Sequence, residues 1–132
     1  MTLIFLVGRV IFGAYWLLAA YNHIFKWQGM MGYAQSKGVK EPKTAIIGTG
    51  VLLFIGGASL VLGVWMQLGI LALIIFLLGS SFKMHAFWKV TDPAAKMGDQ
   101  MAFNRNIAFI GALLMLLVLM ASWGHYAWWY MM

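Results

Sequence analysis

Cysteine is absent from this 132-residue chain. That excludes disulfides, thiolate metal sites, thiol nucleophiles and CxxC redox chemistry within it. Any redox chemistry the chain serves would have to reside in a bound cofactor or another subunit. Carboxylates are nearly as scarce: Glu41, Asp92 and Asp99 stand against nine Lys and Arg, for a formal net charge of +6. Charged residues make up 9% of the chain, where a soluble domain carries about 25%. Too little polar surface exists to face water on every side. Proline occurs only at positions 42 and 93. No P-loop, GxSxG or GxGxxG is present, and no intramembrane acid pair of the kind used by proton-coupled transporters.

What the chain has is long apolar runs, which with the other hydrophobic residues reach 64% of its length. A helix needs about 20 residues to cross a bilayer. Four segments meet that length closely enough, at about 3–25, 45–64, 66–84 and 106–126. The reading is a single domain, 1–132, of an all-α membrane protein built as an antiparallel four-transmembrane-helix bundle. Only "WMQ" separates the second and third spans, which forces a helical hairpin. Gly56, Ser59 and Gly63 fall near one stripe of the second span, where small residues let backbones approach closely. "KWQGMMGYAQSKGVKEPK" reads as a polar loop ending at Pro42. "KMHAFWKVTDPAAKMGDQMAFNRN" reads as a second loop, with room for a short helix beside Pro93.

Four spans put both termini on one side and both long loops on the other. Lys26, Lys37, Lys40, Lys43, Lys83, Lys89, Lys96 and Arg105 lie on the loop side, and only Arg9 lies on the other. By the positive-inside rule the loops are cytoplasmic and the topology is N-out/C-out. The basic residues form no stripe on a polar face, so nucleic acid is not an expected partner; the lipid bilayer is. No basic residue precedes the first apolar run and no small-residue cleavage site follows, so that run is expected to remain as a helix. The Trp and Tyr residues of "WGHYAWWYMM" suit an interfacial belt, with His125 among them.

Arg9 sits inside "FLVGRVIFGAYW", about two turns in from the side that lacks acids. A rise near 1.5 Å per residue leaves roughly 20 Å to the loop carboxylates. Snorkelling to headgroups, the carbonyls and hydroxyls of other helices, or a carbonyl-bearing or anionic ligand remain as partners. Arg9, Gly13, Trp16, Ala20, His23 and Trp27 align along one face of the first helix, a stripe expected to face the interior.

A second polar group gathers at the loop end. His23 closes the first span and His85 follows the third, with Asn22, Asn104 and Asn106 at similar depth. Ser81, His85 and Trp88 would share a face of a continuous helix. Such a group can hold a small polar molecule or relay protons, or simply satisfy helix ends. Two histidines without a nearby Asp, Glu or Cys fall short of a metal site. The eleven methionines read as packing and lipid-facing residues.

"HAFWKVTDP" at 85–93 and "FNRNIAFIGALL" at 103–114 resemble the second half of the DoxX family of small four-helix membrane proteins. Arg9, "YNHIF" at 21–25, "SKGV" at 36–39 and "GGASLVLG" at 56–63 are similar to its first half. Ala20 departs from the glycine that usually precedes Asn-His, and Arg105-Asn106 replaces a common Lys-Asn. The resemblance implies a four-helix bundle in a prokaryotic plasma (inner) membrane, associated with quinone-linked oxidoreductase complexes. It singles out Arg9, Asn22, His23, His85, Trp88 and Asn106, beside Trp16 as an apolar wall. The expected role is a non-catalytic subunit or accessory factor that binds a quinone-like or lipid ligand, with no covalent cofactor. Redox-complex subunits and further copies of the chain are the expected protein partners. A small-solute permease, or a scaffold packing a partner helix on the Gly56–Ser59–Gly63 stripe, are the alternatives.

Overall fold

Helix α1, Thr2–Phe25, is a 24-residue run with no proline and only Arg9 carrying a fixed charge. Its buried residues are Arg9, Gly13, Trp16 and Ala20, the inward face of the stripe read from the sequence. The computed structural model describes residues 2–123. His125 and most of the terminal aromatic segment therefore lie outside the described residues, as does the end of the fourth expected span.

The first connection is not a simple loop. Gln28–Ser36 forms helix α2, because "QGMMGYAQS" holds no proline and finds a natural stop. Gly38 adopts φ +76°, the Gly38 N–H bonds the Gln35 carbonyl at 3.0 Å, and the Val39 N–H bonds the Ala34 carbonyl at 3.1 Å. This is the paired closure that a left-handed glycine makes available at a helix end. Helix α3, Pro42–Leu62, begins with proline at its first turn, where the missing N–H costs nothing, and ends at the left-handed Gly63. After a tight link through Trp65, also left-handed at φ 49°, helix α4 runs Met66–Gly79.

The second connection is more ordered than its polarity suggests. The chain passes through a π-turn, Ser80–Met84, and a 3₁₀ turn, Phe87–Lys89. The third apolar run therefore leaves regular α-helix at Ser80, and Ser81, His85 and Trp88 do not share a helical face. Helix α5 starts already at Pro93 and continues to Trp123. Asp92 caps it, its Oδ2 accepting the Ala95 N–H at 2.9 Å, so the polar stretch 93–105 is helix rather than loop. Asp99 is accordingly a helical residue.

All regular elements among the described residues are helical, and four of the segments are long and apolar enough to cross a membrane: Leu3–Phe25, Pro42–Leu62, Met66–Lys89 and Pro93–Ser122. Each presents large apolar side chains outward, among them Ile4, Phe54, Leu68 and Met115, as lipid contact requires. Helix α3 packs against both α1 and α4, and α4 against α5.

Glycine sets those distances. A Cβ on Gly57 would come 2.9 Å from the Leu17 nitrogen, and one on Gly13 would come 2.9 Å from the Gly57 carbonyl oxygen. The α1 and α3 backbones thus touch directly. On the other face of α3, Gly56 receives Leu73 and Ser59 receives Gly69 of α4. Gly56 and Ser59 of the small-residue stripe are therefore covered by this chain's own α4 and Gly63 by Arg9 of α1, which removes the expected surface for a partner helix.

Candidate functional site

The helices do not close against one another at the loop end. A cavity of about 820 Å³ opens there between α1, α3, α4 and α5, with α2 and its link to α3 across it. Its inner walls are apolar: Trp16 and Ala19 from α1, Leu52 from α3, and Ile75, Phe76 and Leu77 from α4. Nearer the loops the lining turns polar, with His23, Thr49, Tyr33, Lys40, Ser80, Lys83, His85, Arg105 and Asn106. The π-turn matters here. An extra residue per turn reorients Ser80 to His85 so that several of them line the opening, a use to which such turns are often put.

Of the residues picked out by sequence, Trp16, His23, His85 and Asn106 line this cavity. The Trp16 ring is 2% exposed and meets Phe12, Tyr15 and Phe109 edge-on. Its indole nitrogen is covered by protein, so the ring serves as wall and not as donor. His23 Nδ1 lies 3.2 Å from the Ile46 carbonyl and 3.1 Å from Thr49 Oγ1. The Thr49 hydroxyl in turn donates to the Ala45 carbonyl at 2.8 Å. With Nδ1 carrying the proton, His23 donates to both oxygens, ties α1 to α3 and keeps Nε2 for another partner. Asn106 is buried, its amide nitrogen donating a long hydrogen bond of 3.5 Å to Ser80 Oγ.

Arg9, Asn22 and Trp88 do not line the cavity. Trp88, half exposed, meets Phe87 and Phe103 edge-on and Phe82 at a tilt beyond the π-turn. The Asn22 main-chain carbonyl accepts the Lys26 N–H at 2.9 Å, an ordinary bond at the end of α1. Arg9 lies at the opposite end of the spans. It is 6% exposed, and its guanidinium rests on Gly63, where a Cβ would come 2.8 Å from Arg9 Cζ. That is the carbonyl end of α3, where a cation meets the negative pole of the helix.

Sequence reasoning missed a carboxylate beside His85. Asp99 Oδ1 accepts the Tyr33 hydroxyl at 2.6 Å and lies 3.2 Å from His85 Nδ1. Asp99 Oδ2 is ion-paired with Lys37. Asp99 is 7% exposed. The three contacts pin α2 to α5 and to the segment after the π-turn, so α2 is held across the cavity by one acid. Burial first, then the hydrogen bond and charge of Asp99, push the Tyr33 phenol well above its ordinary value, which keeps it a neutral donor. Tyr33 lies in the last turns of α2 and Lys37 caps that helix four residues on, a spacing that places both on one face. That signal becomes visible only once α2 is recognised as a helix. Among the described residues no group of three or more His, Cys, Asp or Glu is placed to hold a metal ion.

Compared with known families, the chain matches the DoxX family model over residues 4–86. No curated protein and no solved structure matches it.

Proposed function

The chain belongs to the DoxX family, and from that premise we propose a non-catalytic subunit or accessory factor of a quinone-linked membrane oxidoreductase system, holding a quinone-like or lipid ligand between its helices. The observation that carries this reading is the cavity, apolar inside and polar at the loop end. Its volume, about 820 Å³, falls in the range of small-molecule and cofactor sites, roughly 300–1,000 Å³. A flat, greasy ligand fits such walls. Trp16 and Phe76 would cover its faces, while His23, His85 and Asn106 would hydrogen-bond its oxygens. Any electron transfer would belong to the quinone or to a partner subunit, since the chain holds no cysteine. The basic loops favour a cytoplasmic position for this end of the protein, in a prokaryotic inner membrane.

The test is extraction. Protein purified in mild detergent should release a quinone or lipid close to one per chain on solvent extraction. Ala19→Phe, which fills the cavity from α1, should lower that yield several-fold while the protein stays folded. Ligand-free wild-type protein, or an undiminished yield from Ala19→Phe, would contradict the proposal.

A further inference from the structure

The rim of the cavity carries more positive charge than a neutral ligand requires. Lys40, Lys83 and Arg105 all line it, and no lining residue is a carboxylate. They arrive from three separate elements: the α2–α3 link, the π-turn and α5. The chain's acids lie outside the lining. Asp99 is held by Lys37, Tyr33 and His85, Asp92 caps α5, and Glu41, exposed at the start of α3, makes no side-chain cap hydrogen bond. The Lys83 ammonium reaches the end of α2, where a Cβ on Gly38 would lie 3.7 Å from its Nζ.

Three cations around one opening with low-dielectric walls concentrate a positive potential there. A neutral head group would leave that potential unused. A phosphate or carboxylate would meet it with charge-assisted hydrogen bonds, and Arg105 adds a planar fork suited to paired oxygens. Below the rim, Trp16, Leu52 and Ile75 offer only apolar contact to whatever is attached to that head.

We propose that the cavity takes an anionic amphiphile, its hydrocarbon chain against the inner apolar walls and its phosphate or carboxylate between Lys40, Lys83 and Arg105. This rests on the amphiphile-binding reading above and adds the charge of the head group. Lys40, Lys83 and Arg105 are exposed, so replacing them leaves the packed helices intact.

The experiment is native mass spectrometry of delipidated protein in neutral detergent. It is titrated separately with phosphatidylglycerol, phosphatidylcholine of the same chains, ubiquinone and inorganic phosphate. Phosphatidylglycerol should occupy one site at least tenfold more tightly than the other three. The combined variant Lys40→Gln, Lys83→Gln, Arg105→Gln should erase that preference. The variant Lys26→Gln, Lys43→Gln, Lys89→Gln removes equal charge outside the lining and should preserve it. Ala19→Phe should weaken phosphatidylglycerol by a similar factor.

Equal affinity for the two phospholipids, or tighter binding of ubiquinone, would overturn the anionic head while leaving the ligand-cavity reading standing. Phosphate binding as tightly as the lipid would overturn the amphiphile in favour of a free anion. Equal loss in the two charge variants would show a surface effect of basic loops on anionic lipid and overturn the site. No binding of any lipid or quinone would defeat both readings.

Discussion

Two helices in this protein end in the same way with different results. Helix α3 stops at Gly63, φ +72°, and α2 stops at Gly38, φ +76°, and each glycine has a cation lying over it. Over Gly63 the cation is Arg9, buried where glycine contacts bring α1, α3 and α4 together. Over Gly38 it is Lys83, exposed at the mouth of the cavity. One end of the molecule uses a helix terminus and a charge to seal, whereas the other uses the same parts to frame an opening. The difference lies in the neighbours. Gly56 and Gly69 remove volume between α3 and α4 toward the Arg9 end, whereas at the loop end Gly50 still brings α3 onto α1 at His23 but Thr49 and Phe76 leave space between α3 and α4.

Changes at the sealed end should cost most. Gly63→Ala forces a left-handed backbone on a residue with a Cβ and drives that Cβ into the Arg9 guanidinium. A loss of about 3 kcal/mol is expected, seen as a large drop in thermal unfolding temperature in detergent. A Gly63→Ala protein as stable as wild type would show that the seal is not tight.

Next comes Asp99→Asn, which removes the charge that holds Lys37 and weakens the acceptor for Tyr33. About 2 kcal/mol of α2 docking should be lost. Hydrogen exchange in α2 should accelerate while that in α1 and α3 stays slow; uniform acceleration would instead make Asp99 a global element.

Gly38→Ala carries the same backbone strain as Gly63→Ala without the clash, since its Cβ would make only ordinary contact with Lys83. A cost of about 1 kcal/mol is expected, confined to α2. If it matched Gly63→Ala, the two ends would be mechanically alike and the comparison would fail.

The smallest effect should come from Tyr33→Phe, about 1 kcal/mol at neutral pH. The phenol's raised pKa means that the folded chain holds this proton more tightly than the unfolded one. Its contribution to docking is therefore complete below the ordinary phenol value near 10 and is lost as pH climbs through the raised value. Protease sensitivity of α2 in wild-type protein should rise only in strong alkali, and Tyr33→Phe should remove that dependence.

The four apolar spans, the short hairpin link and the inward stripe of α1 could all be read from the sequence, because hydropathy and a period of 3.6 report them directly. Helix α2 and the early start of α5 could not. Their residues are polar, and polarity reads as loop although Asp92 and Pro93 form a competent helix start. The π-turn leaves no trace in the pattern either, so a regular helical period gives Ser81, His85 and Trp88 a common face that does not exist. Those omissions hid the partner of His85. Asp99 lies 14 positions further on and reaches it only because α5 is already helical there. In the sequence Lys40, Lys83 and Arg105 read only as topology signals. Their place on the cavity rim follows from α2 crossing the opening, which no local pattern encodes.

The absence of native cysteine allows the cavity itself to be probed with a single introduced thiol. In Ala19→Cys, on the inner wall, labelling by a small apolar thiol reagent should be slow as purified, accelerate on delipidation, and slow again when an anionic amphiphile is added. Leu18→Cys, on the outward face of α1, should react at one rate throughout. An Ala19→Cys thiol indifferent to delipidation and to added amphiphile would mean that no ligand occupies the space beside Trp16, and the account would fall.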